Sequence, residues 1–271
     1  LYGLTDMIAH HISARVPGED GHFLINPYGL LYGEVNASNL VKIDIDGNTL
    51  DGSPHPVNKA GFTQHAYFHR HLDWAHAICH THTTATMAVC ASENGLEASN
   101  FYACNFIGRV GYHDFEGVTV REEEGERLLE NLGKNRVLLL RNHGPVVLGK
   151  TIQEMFIQSW SLQRACEIQL ATYSMGKPII IPDEVVQVHQ RDLSQRPVQI
   201  SQASAVSAHD RSSTAVRVES AGDELFKGRG LTRRQFGEDL WQVGCERPCQ
   251  GVAGIDQLRH HACVDFLAGD G

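Results

Sequence analysis

What this chain of 271 residues lacks narrows it before any motif is read. It has no excess of positive charge: the formal net charge is −9. That balance argues against a surface made for nucleic acid or for an anionic membrane. No apolar run approaches the roughly 18–20 residues of a membrane span, and no basic-then-apolar leader opens the chain. Leu1 stands where a Met would, and Leu1–His11 reads like the middle of an element. The expectation is a chain that starts inside a longer protein, with any upstream targeting signal out of view. The seven cysteines (Cys79, Cys90, Cys104, Cys166, Cys245, Cys249 and Cys263) are odd in number and irregular in spacing. They make no disulfide framework, so a reducing cytoplasm is the expected compartment. Cys245-x-x-x-Cys249 with His260, His261 and Cys263 has the donors of a zinc cluster, but no ordered core pattern surrounds it.

What is present is a core and an abundance of histidine. Hydrophobic residues make up 42% of the chain, enough for one sizeable domain or a domain with an appendage. Sixteen histidines is a high count, and most, such as His65, His69, His71 and His76, read as ordinary surface or core residues. His80-Thr81-His82 stands apart. Residues two apart on a strand point to one side, so two imidazoles there can grip one divalent ion. His143, in the tight Arg141-Asn142-His143-Gly144-Pro145 loop, is a candidate third ligand from a distant strand end. Three protein ligands with a position left open suit a catalytic rather than a structural metal. Three neutral nitrogens suit Zn2+, and also Mn2+, Fe2+ or Co2+. The plainer alternative leaves His80 and His82 hydrogen-bonded to solvent and His143 a turn residue.

The pattern of elements places these histidines. His22–Ile25 and Val41–Ile45 read as strands, with Asp46-Gly47 as a turn. Asn58–Arg70 reads as a helix capped by Asn58, with Phe62, Ala66 and His69 on one face. Ala75–His82 reads as the strand that delivers the His pair, and Thr83 or Thr84 caps a short helix through Ala91. Arg109–Tyr112 is a short strand, Arg121–Leu132 a charged helix stopped by Gly133, and Val137–Leu140 and Val146–Leu148 are apolar strands. Thr151-x-x-Glu154 is a capping box that opens a long helix to about Ser174. Strands mixed with helices suit a sheet covered on both sides. After about Gln190 periodicity fades into Ser, Gln, Arg, His and Gly. Residues 1–180 are therefore expected to form the domain, and 181–271 a tail that is either flexible or translated out of frame.

The motifs also carry a resemblance. His80-Thr81-His82, Arg141-Asn142-His143-Gly144, Asn26-Pro27-Tyr28-Gly29, Gly111–Gly117 and Ala165–Gln169, in that arrangement from Leu4 to about Met175, resemble the class II aldolase/adducin family, and its adducin-related branch in particular. The resemblance implies an α/β fold: a three-layer αβα sandwich around a mainly antiparallel sheet. It implies a cyclic homotetramer, and a zinc-type site on His80, His82 and His143. It also implies an enzyme of the lyase type (aldolase, decarboxylase, dehydratase or epimerase) that acts on a small hydroxy-carbonyl or hydroxy-acid substrate through an enolate-like state.

One departure stands out. Sugar-phosphate aldolases of the family carry an acidic base where this chain has Gly61, and glycine takes no proton. Tyr112 or His113 lies in the region that supplies a tyrosine from a neighbouring subunit, so each is a candidate catalytic group. His10 and His11 occupy the family's substrate loop and are candidate substrate-binding residues, while Asn142 and Gly144 shape the loop that holds His143. The alternative function is a non-catalytic, adducin-like module that binds a cytoskeletal or other protein. Gly61 favours that reading, whereas the intact His triad and the lack of a long Lys-rich tail count against it.

Overall fold

The structure, a computed structural model, describes residues 4, 6–117 and 123–195. The Cys245–Cys263 group and most of the expected tail lie outside those residues.

Seven strands form one sheet: β1 (His11–Arg15), β2 (His22–Ile25), β3 (Val41–Asp44), β4 (Ala77–His80), β5 (Val110–His113), β6 (Val137–Leu140) and β7 (Gly144–Gly149). Their spatial order is β3-β2-β1-β4-β7-β6-β5. Every neighbouring pair is antiparallel except β5 with β6. The helices are α1 (Lys59–His71), α2 (Thr84–Ala91), α3 (Glu123–Leu132), α4 (Ile152–Met175) and α5 (Asp183–Ser194).

The helices start where their caps dictate. Asn58 Oδ1 accepts from the Gly61 N–H at 3.2 Å to open α1. Thr83 Oγ1 faces the Thr86 N–H at the start of α2, and Thr151 Oγ1 accepts from the Glu154 N–H at 3.0 Å to open α4. Each satisfies an N–H that the first turn would leave unpaired. The expected reciprocal bond of the Thr151 box is displaced by one residue: the Glu154 carboxylate accepts from the Lys150 N–H at 2.8 Å and also pairs with Arg136.

Alternation along the strands builds two cores. Val137 and Leu139 of β6 and Val147 of β7 pack with Val89 of α2 and Leu162 and Cys166 of α4. The intervening residues, Leu138, Leu140, Val146 and Leu148, turn the other way and meet Phe68 of α1 and Leu128 and Leu132 of α3. Further along α1, Phe62 and Ala66 cover Phe23 and Ile25 of β2 and Val41 and Ile43 of β3. The molecule is thus a three-layer αβα sandwich, with α1 and α3 on one face and α2 and α4 on the other. Cys79, Cys90, Cys104 and Cys166 are buried free thiols, filling space as small hydrophobes.

Three features depart from the sequence reading. The expected Ala75–His82 strand is shorter, Ala77–His80, because the chain turns at Thr81 to reach the cap of α2. His82 therefore lies beyond the strand. β1 was not foreseen: its residues on the α1 side, His11 and Ser13, are polar yet buried, and a polar buried face defeats a search for apolar period two. α5 was not foreseen either. It attaches through Val186, packed with Ala98 and Cys104, and through Gln190, whose amide donates to the carbonyls of Cys104 at 2.7 Å and Ile107 at 2.9 Å. Among the described residues no helix is long and apolar enough to cross a membrane.

Candidate metal centre

The three histidines picked out by spacing converge. His80 Nε2 lies 2.6 Å from His82 Nε2 and 3.3 Å from His143 Nε2. Zinc–nitrogen bonds of about 2.0–2.1 Å in tetrahedral geometry put neighbouring ligand nitrogens about 3.3 Å apart, so the cluster has nearly the spacing an ion needs. His80 is held by its own backbone surroundings. It is buried at the end of β4, and its Nδ1 lies 3.0 Å from the Pro145 carbonyl. A carbonyl only accepts, so Nδ1 carries the proton and Nε2 is left as the bare donor to a metal.

His82 and His143 are positioned by backbone. The His82 N–H donates to His10 Nε2 at 2.7 Å, and His10 Nδ1 donates to the Leu4 carbonyl at 2.8 Å. His143 follows Asn142, whose φ of 60° is left-handed, a conformation asparagine tolerates better than most residues. The Asn142 N–H reaches the Cys90 carbonyl. Gly144 admits the close approach of the His82 segment, since a Cβ there would collide with the Thr81 carbonyl oxygen. Asn142 and Gly144 thus sit where they shape the loop that carries His143.

Burial pushes all three imidazoles toward the neutral form. His82 is lowered to about 4, by burial first and then by His143 and His10. His80 lies well below the ordinary range for the same leading reason, and burial lowers His143. Neutral nitrogens are what a divalent cation requires. The chemistry of the donor set, three imidazoles with no cysteine, fits a zinc-type ion with room left for another ligand.

The triad opens into a cavity of about 410 Å³, lined also by His11, Tyr28, Asn58, Gly61, Gln64 and Phe115. A larger hollow of about 750 Å³ lies beside Arg109, Lys134 and Arg136, and no histidine or cysteine lines it. The chemistry therefore concentrates in the smaller cavity. Gly61, where the family pattern has an acid, is not simply an empty place. A Cβ built there would fall 2.5 Å from His11 Cδ2 and 2.6 Å from His11 Nε2, so the His11 ring already occupies that space.

The other candidates are distributed unevenly. His11 lines the cavity. His10 stands behind it with both ring nitrogens engaged, one on Leu4 and one on His82. Tyr112 lies on the far side of the sheet, where its hydroxyl accepts from the Leu96 N–H at 3.0 Å and its ring lies 4.3 Å beneath the Arg141 guanidinium. His113 accepts from the Asn131 amide at 2.9 Å and faces Glu124 at 3.4 Å. Neither Tyr112 nor His113 is among the residues lining this chain's own cavity. A second possible grouping, Asp6 with His10 and His82, loses His10 to its two hydrogen bonds. Sequence reasoning missed Gln64 in the cavity wall, and it took His65 and His69 for ordinary residues. Their i, i+4 spacing on the core-facing stripe of α1 was the available signal.

Comparison with known proteins agrees with this fold. The family model described as "Class II Aldolase and Adducin N-terminal domain" matches residues 1–170. Alpha-adducin of Rattus norvegicus is 45% identical over 182 residues, which is 66% of this chain but 25% of that protein. A crystal structure of an aldolase II superfamily protein from Pseudomonas syringae superposes with a TM-score of 0.72 at 37% identity, covering 83% of this chain and 86% of that one. An L-fuculose 1-phosphate aldolase from Glaciozyma antarctica superposes with a TM-score of 0.62 at 27% identity, covering 70% of this chain and 75% of that one.

Proposed function

Because the chain belongs to the class II aldolase and adducin N-terminal domain family, we propose that it is a metal-dependent enzyme of the lyase type. Its substrate is a small hydroxy-carbonyl or hydroxy-acid compound, and its reaction passes through an enolate-like state. The observation that carries this is the convergence of His80, His82 and His143 beside a cavity of about 410 Å³. A divalent ion held by those three nitrogens supplies Lewis acidity toward a carbonyl or hydroxyl oxygen. The chain's own part is to keep the nitrogens neutral by burial, to fix the His80 tautomer through Pro145, and to hold the His82 backbone through His10. Zn2+ is the proposed metal. A homotetramer working in the cytoplasm completes the proposal; His113 is buried and Tyr112 is held by Leu96 and Arg141, so neither is assigned a part in it.

A second reading is a non-catalytic adducin-like module that binds a protein partner, and the 45% identity to alpha-adducin favours it. The retained triad weighs toward the enzyme. Metal analysis of the purified protein tests the choice. The enzyme reading expects about one zinc per chain, and a metal affinity reduced more than about 100-fold in His82→Ala, since losing a ligand exceeds the 10–100-fold cost of losing a supporting residue. Wild-type protein that takes up no divalent metal, or that turns over no member of a hydroxy-carbonyl and hydroxy-acid panel, overturns it.

A further inference from the structure

His11 begins a buried chain of hydrogen bonds whose direction is fixed from its far end. Its Nδ1 lies 2.9 Å from His65 Nε2. His65 Nδ1 lies 2.7 Å from Ser13 Oγ, and Ser13 Oγ lies 2.8 Å from His69 Nε2. His69 Nδ1 ends the chain 3.1 Å from the Ala75 carbonyl. All four residues are buried, and the hydrogen bonds that join them include no carboxylate to offset a charge, so each ring is neutral and carries one proton.

The carbonyl then decides where every proton sits, because it can only accept. His69 must donate from Nδ1, which leaves its Nε2 to accept from the Ser13 hydroxyl. The Ser13 oxygen, its proton used, accepts from His65 Nδ1–H. His65 Nε2 is therefore bare and accepts from His11 Nδ1–H. One position remains: His11 Nε2 has a lone pair and no proton. His11 is a residue of the cavity wall, and a side chain at Gly61 would begin over its ring, 2.6 Å from Nε2. Gln64 is buried and lines the same cavity, and its amide Nε2 has no hydrogen-bond partner among the described residues. Native interiors rarely leave such a donor unpaired.

We infer that His11 Nε2 and the Gln64 amide form a fixed acceptor–donor pair that reads the substrate beside the His80–His82–His143 triad. A substrate hydroxyl donates to His11, and the adjacent carbonyl or carboxylate oxygen accepts from Gln64. The substrate class is thereby narrowed to compounds with a hydroxyl on the carbon next to a carbonyl or carboxylate. Ser13, His65 and His69 are positioning residues that set the tautomer of His11, and Gly61 leaves room for its ring. The inference rests on the metal-dependent reading above.

Two measurements on the full chain test it. In the metal-free protein, long-range 1H–15N correlation spectra of labelled histidines should show His11 protonated at Nδ1 and bare at Nε2. Ser13→Ala should admit the second tautomer, and Ser13→Thr should restore the first. A proton on His11 Nε2 in the wild type overturns the assignment. In the zinc-loaded protein, calorimetry should show glycolate binding at least about tenfold tighter than methoxyacetate, which lacks the hydroxyl proton, since a polar group built to pair discriminates against an analogue that cannot. His11→Phe, with zinc still bound, should bring that ratio near one. No preference in the wild type, no glycolate binding, or a preference unchanged in His11→Phe each overturns the proposal. A chain that takes up no zinc overturns the metal reading instead, and the tautomer pattern still judges the relay without any metal.

Discussion

Helix α1 covers two regions of one sheet face that are built on opposite terms. At one end Phe68 joins Leu138, Leu140, Val146 and Leu148 in a wholly apolar cluster. On the adjoining stripe, His65 and His69 meet His11 and Ser13 of β1 in a hydrogen-bonded one. Both are as thoroughly excluded from water. The apolar cluster is non-directional, and any side chains of suitable volume fill it. The imidazole cluster has a direction, given by the Ala75 carbonyl, and every member must be present for that direction to reach the metal cavity. With the Phe62–Phe23 cluster on its other flank, the relay sits in low-dielectric surroundings, where an unpaired polar group is expensive and a paired one is held firmly. One helix thus supplies stability and site geometry from neighbouring turns.

That division predicts separable losses. Leu138→Ala should show the largest effect, about 2–5 kcal/mol of unfolding free energy for a buried leucine, read by urea denaturation. Metal affinity measured on the folded protein should not change. A parallel fall in metal affinity would mean that the two regions are one cooperative unit. His10→Phe should do the opposite. It removes the acceptor that holds the His82 N–H and should weaken zinc binding about 10–100-fold, while the apolar cluster remains intact.

Acid should attack the polar region selectively. Burial pushes His69 down to about 3 in the folded protein, against about 6.5 in the unfolded chain. Between those values the unfolded state binds a proton that the folded state does not. The stabilisation from a neutral His69 is therefore complete above about pH 6.5 and falls as the pH drops toward 3. The loss is about 1.4 kcal/mol per pH unit from this residue alone. His65 and His11 are shifted the same way, chiefly by burial, so they steepen the decline. Denaturation midpoints that stay flat from pH 7 to pH 5 would contradict this. The smallest effect belongs to a site remote from both clusters. Thr151→Ala should cost about 1 kcal/mol through loss of the α4 cap, with metal uptake and the histidine spectra untouched.

Much of this was legible in the residues. Asn58, Thr83 and Thr151 announced three helices because a short polar side chain can pair a first-turn N–H wherever it stands. Val137–Leu140 announced a central strand because residues buried on both faces leave a continuous apolar run. The His-x-His spacing and the distant Asn-His-Gly loop named the triad. Other parts were not legible. β1 hid because His11 and Ser13 are polar residues facing inward. The Ala75–His82 strand was read too long because sequence does not show where a chain must bend to reach the next cap.

By itself, the sequence determined the donors and the layers: which side chains can bind a metal, and which stripes must be buried. Those depend on residue type and local period, which are written residue by residue. Tertiary structure alone decided what surrounds the donors. Pro145 orients His80, His10 holds His82, and the Ala75 carbonyl fixes the tautomer of His11 through partners far away in the chain. It also showed that the space a side chain at Gly61 of α1 would take is filled by the His11 ring of β1. Hydrogen-bond direction and occupied volume are properties of groups brought together by the fold, and spacing along the chain does not encode them.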